Sequence, residues 1–145
     1  MSQINVNLIE PSSGPSVTVG ANLIVSGTTN VRPYKVYTAL LAQNGPPNYE
    51  PTAEVLENTL GATITWTRNA VGEYFGTASA PVFTAFKTAV FMQVSSGGGA
   101  TYPIQIITSR SSNTQVFVIT ELTDSVSTKV DGRLGLNPIE IRVYQ

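Results

Sequence analysis

The chain has 145 residues, of which none is histidine or cysteine and only 17 are charged, eight Lys/Arg against nine Asp/Glu, for a net charge of −1. Without cysteine there is no disulfide framework and no thiol nucleophile, and without histidine a Ser–His–Asp triad is excluded. The cations Arg32, Lys35, Arg68, Lys87, Arg110, Lys129, Arg133 and Arg142 stand singly, so no basic patch tracks phosphates and no nucleic-acid partner is expected.

No apolar run reaches the roughly 18 residues of a membrane-spanning helix, so no membrane insertion is expected. The start, Met1-Ser2-Gln3-Ile4-Asn5-Val6-Asn7, lacks the basic and apolar regions of a signal peptide. Synthesis in a cytoplasm follows as the expectation. Val, Ile and Thr together supply 44 of the 145 residues, and β-branched types favour strands.

Residues 1–33 carry two short alternating segments, Ile4–Ile9 and Val17–Val25, divided by Pro11-Ser12-Ser13-Gly14-Pro15. They read as an N-terminal extended arm that docks to a neighbour or a larger body, or as edge strands of the domain that follows. Tyr34 to Ala42, Phe86 to Val94 and Gln115 to Ile119 are apolar on both faces and read as central strands, or as strands covered by a neighbouring subunit. Thr52 to Asn58 is divided between a helical turn, favoured by its Ala, Glu and Leu, and a strand. Ile64–Arg68 and Glu73–Thr77 form a hairpin about Asn69-Ala70-Val71-Gly72. Tyr102 to Thr108 carries Pro103, which puts its start at an edge or a strand beginning. In the closing segment Ile139, Ile141 and Val143 face a core, alternating with Glu140, Arg142 and Tyr144. With turn clusters such as Asn44-Gly45-Pro46-Pro47-Asn48 and Gly97-Gly98-Gly99 between the runs, the fold class is all-β. An antiparallel β-sandwich or jelly-roll-like domain of about eight strands is expected over 34–145.

Chemistry-bearing constellations are few. Glu50, Glu54 and Glu57 are the one local carboxylate cluster; paired carboxylates serve glycosidases, but glutamates in such a segment are ordinarily solvated. Asp124 and Asp131 offer hard oxygens for calcium, with no matching ligand spacing, so turn residues are the better reading. The triglycine lacks the Lys and Ser/Thr of a phosphate loop. Among the aromatics, Trp66, Tyr74 and Tyr49 are the candidates for contact with a glycan, although Trp66 shares a strand face with Ile64 and core packing competes. No catalytic residue, metal ligand or cofactor is assigned, and the chain is not expected to be an enzyme.

Lys35 to Gln43 (KVYTALLAQ), Ala53 to Gly61 (AEVLENTLG), Ile64 to Arg68 (ITWTR) and the closing Ile139 to Tyr144 (IEIRVY) together resemble a β-rich module of structural, fibre-like proteins of tailed phages and prophages. The segment Ala21 to Val31 is similar to short repeats of trimeric fibre shafts. The resemblance implies a virion structural protein: a head or tail fibre, decoration or attachment component. It would form a homo-oligomer, with a trimer favoured, and reach other virion proteins through residues 1–33. A carbohydrate- or receptor-binding module facing a host surface glycan is the alternative.

Overall fold

In the computed structural model, residues 32–93, 103–123 and 126–145 are described. The arm segments Ile4–Ile9 and Val17–Val25, the triglycine, Tyr102 and Asp124 lie outside them. Alternation of period two dictates strands, and eight form: β1 (Tyr34–Gln43), β2 (Pro51–Asn58), β3 (Ile64–Ala70), β4 (Glu73–Ala78), β5 (Thr88–Met92), β6 (Ile104–Arg110), β7 (Gln115–Leu122) and β8 (Gly135–Tyr144). They make two four-stranded antiparallel sheets, sheet A in the order β2-β1-β8-β5 and sheet B in the order β3-β4-β7-β6. The domain is an all-β sandwich, and Arg32–Gln145 is one compact unit.

The core lies between the sheets. Tyr37, Ala39 and Leu41 of β1 and Ile139, Ile141 and Val143 of β8 meet Ile64 and Trp66 of β3, Tyr74 of β4, and Val116 and Val118 of β7. Trp66 is the largest of these, and its ring needs room that a side chain opposite would deny. Its cross-strand partner is Gly76, where a Cβ would stand 2.9 Å from the indole. The indole N–H then donates to Tyr37 Oη at 3.2 Å, tying sheet B to sheet A through the core. Burial lifts the Tyr37 hydroxyl above its ordinary pKa, with the Trp66 hydrogen bond opposing.

Three expectations are settled or corrected by pairing. The segment divided between helix and strand is strand β2, because Ala53 and Glu54 sit opposite Leu41 and Leu40 of β1 and a lone helical turn has no such ladder. Phe86 to Val94 was expected as a central strand or one covered by a neighbouring subunit; its strand starts at Thr88 and is not central but an edge strand of sheet A, laddered to β8. Its two-faced apolar character has a different origin: Val90 packs on the core while Phe91 points outward, half exposed. The turn of the β3–β4 hairpin is Val71-Gly72, shorter than the four residues expected, because Ala70 still pairs with Glu73 across a bulge.

Candidate functional site

Three places gather polar or aromatic chemistry, and the first is Asp131. Its carboxylate accepts from Arg68 Nη2 at 2.7 Å and Nε at 3.1 Å, from the Gly72 N–H at 3.1 Å, from Tyr74 Oη at 3.0 Å and from Gln43 Nε2 at 3.2 Å. Gln43 extends the network, accepting from the Gly132 N–H at 2.6 Å and donating to the Tyr49 carbonyl at 2.8 Å. Burial alone would push the Asp131 carboxyl up, but the donors of Arg68, Gly72, Tyr74 and Gln43 outweigh it and hold the group at about 2. Tyr74 is pushed up to about 12, first by burial and then by the neighbouring carboxylate. Each acceptor direction is used within the chain, and the anion is matched by a guanidinium. The cluster is therefore a clasp that closes one end of the sandwich; among the described residues no group of three or more His, Cys, Asp or Glu side chains could hold a metal ion.

Of the three glutamates, Glu54 is exposed and the other two have partners. Glu57 takes both oxygens to Arg32 Nη1 at 2.7 and 2.8 Å, and Glu50 accepts the Arg68 backbone N–H at 3.0 Å.

The three aromatics expected to meet a glycan do not come together at the surface. Trp66 and Tyr74 are buried in the core, and a stacking platform needs an open ring face. Tyr49 alone is partly exposed, at the clasped end beside Gly132.

A different aromatic group stands on the outer face of sheet A. Tyr34 of β1 and Tyr144 of β8 are paired across the ladder with ring centroids 5.3 Å apart. The Arg142 guanidinium lies 4.8 Å from the Tyr34 centroid and 5.1 Å from that of Phe91 on β5. It also pairs with Glu140 on its own strand. Phe91, at 50% exposure, and Tyr144, at 39%, keep open ring surface. The alternation of β8 already marked Glu140, Arg142 and Tyr144 as outward. What a single sequence could not supply was the strand order that sets β8 between β1 and β5.

The third place is the outer face of sheet B. The registers lay Thr67, Phe75, Phe117 and Ser109 in one row across the four strands, with Glu73, Ile119 and Ile107 in the next. Phe75, Phe117, Ile119 and Ile107 are all half-buried, and no second layer among the described residues lies over them. Around them stand Thr65, Thr77, Gln115 and Gln105, uncharged; Glu73, bound to Lys129, and Glu121 mark one end.

No family model, no curated protein and no solved structure matches the chain.

Proposed function

We propose that the chain is a structural component of a tailed-phage or prophage particle, of the fibre, decoration or attachment kind. It acts by assembling with copies of itself, three-fold by preference, and by docking to other particle proteins through residues 1–33. The observation that carries the assembly reading is the outer face of sheet B. An apolar centre of Phe75, Phe117, Ile119 and Ile107 within a polar rim that is charged at one end only is the anatomy of a protein–protein interface. The low charge of the whole chain and the resemblance of its strands to phage structural modules support the same reading. Light scattering on the purified chain at micromolar concentration should give the mass of three copies, and a stable monomer overturns the reading. Mass spectrometry of purified particles from the encoding strain should find the chain among the virion proteins.

The aromatic group on sheet A favours a second reading, a surface that meets a host glycan. Exposed rings of Phe91 and Tyr144 suit the apolar face of a pyranose, and the Glu140–Arg142 pair offers an acceptor and donors beside them. A printed array of neutral and acidic oligosaccharides should bind the wild-type chain and lose Phe91→Ala. A silent array removes this reading and leaves the assembly role untouched.

A further inference from the structure

The turn that leads into β5 contains the least explained residue of the domain. The Lys87 N–H and the Thr88 hydroxyl both donate to the Thr84 carbonyl, at 3.3 and 2.8 Å, and close the turn tightly. Between them Phe86 is held in the left-handed region at φ +60°, with its ring wholly in solvent. Glycine or asparagine suits that backbone far better than a bulky aromatic. An exposed ring also recovers nothing from packing. Two penalties meet at one residue, and nothing among the described residues offsets either.

A complementary feature exists elsewhere on the same chain. The outer face of sheet B is dished between Phe75, Phe117 and Ile119, with Glu73 and Ser111 at its margin, and the hollow measures about 240 Å³. An apolar cavity of roughly 150 Å³ accepts benzene, so a phenyl ring fits. The charges match as well. Lys87 follows Phe86, and Lys35 lines the same depression as Lys87. The hollow end of sheet B instead carries Glu73 and Glu121 against Lys129, a net excess of one negative charge.

We infer that Phe86 of one copy seats in the Phe75–Phe117–Ile119 hollow of the next. The proposal rests on the assembly reading above and deepens it by naming the two surfaces that meet. Because knob and hollow are unlike surfaces of one chain, the contact is head-to-tail, and such contacts close into rings when the rotation allows.

The experiment uses the full chain and reads mass by light scattering at micromolar concentration. Phe86→Ser and Phe117→Ser are each expected to run as single chains. Their equimolar mixture is expected at the mass of two, since one intact knob then meets one intact hollow. Thermal unfolding checks that each variant is folded, and Phe75→Ser replaces Phe117→Ser if the latter is not. A Phe86→Ser chain that keeps the wild-type mass overturns the proposal, as does a mixture that stays at single-chain mass. An assembled wild type with an indifferent Phe86 sinks this proposal alone, whereas a monomeric wild type sinks the assembly reading with it.

Discussion

Two residues with a left-handed backbone, Gly72 and Phe86, sit at opposite ends of the sandwich and are treated in opposite ways. Tyr49 and Leu136 at the Gly72 end share the positive φ without being glycine. At the end where β1 finishes, Gln43, Arg68, Gly72, Tyr74 and Asp131 satisfy one another, and the strained backbone at Gly72 belongs to the residue type that tolerates it. At the end where β1 begins, roughly 30 Å away along a strand of ten residues, Phe86 takes a comparable φ without being glycine and leaves its ring in water. Strain that is compensated within the chain is architecture. Strain that is not compensated points to something that arrives later. Substitutions at the two ends should accordingly differ in sign as well as size.

The largest effect belongs to Gly72. A Cβ there would stand 2.5 Å from the Thr120 carbonyl oxygen and 2.7 Å from the Val130 nitrogen, all of it backbone. Neither neighbour can yield without losing the Thr120 N–H to Gly72 O and Val130 N–H to Thr120 O bonds. Gly72→Val should cost about 4 kcal/mol or more, at the exceptional end for one substitution, read as a fall in urea midpoint. A loss below about 1 kcal/mol would show that the clasp is not the fixed point described.

Asp131 comes next. Asp131→Ala leaves the Arg68 guanidinium, the Gly72 N–H and Tyr74 without their acceptor, and should cost about 3 kcal/mol. The same carboxyl predicts an acid profile. It titrates near 2 in the fold against about 4 in an unfolded chain, so its contribution is complete above pH ~4 and is lost as pH falls towards 2. That contribution is about 2–3 kcal/mol, from 1.36 kcal/mol per pKa unit. Urea unfolding of the wild type across this range should show the loss, and Asp131→Asn should flatten it. An equally steep profile in the variant would assign acid sensitivity to other groups.

How much of this was legible follows from where each residue's partners lie. Ile64, Trp66, Ile139, Ile141 and Val143 were marked inward by alternation alone, because burial in a two-layer sandwich acts on one face at a time. Strand β2 was not, since Ala, Glu and Leu carry no strand preference and the ladder to β1 decides their state. The clasp left no local signal: Gln43 and Asp131 are 88 positions apart, and Arg68 stands 63 from Asp131. For Trp66 and Tyr74, named as glycan candidates with core packing competing, the structure gives burial. Their value to the fold lies in partners across the core, Tyr37 for one and Asp131 for the other.

Gly76 sharpens the comparison at the centre, between the two ends. A Cβ at Gly76 would press on the flat of the Trp66 indole, a side chain that can shift only at the expense of its bond to Tyr37. Gly76→Ala should cost about 1–3 kcal/mol, the range for overpacking, with no change in the mass read by light scattering. Equal stability of the variant would mean that the indole has slack the packing does not show.

The smallest effect, and the one of opposite sign, is expected at Phe86. Replacing it by glycine removes the left-handed penalty, about 1 kcal/mol for an L-residue. It also frees the unfolded chain, which offsets part of that gain. The dissociated chain, measured in dilute solution, should therefore unfold at an equal or slightly higher urea concentration, while the assembled mass is lost. A substitution that leaves the fold intact or firmer and abolishes association is the signature of a residue kept for its partner. Should Phe86→Gly instead destabilise the dissociated chain by more than about 1 kcal/mol, the ring would be serving its own fold, and the contrast between the two ends would collapse.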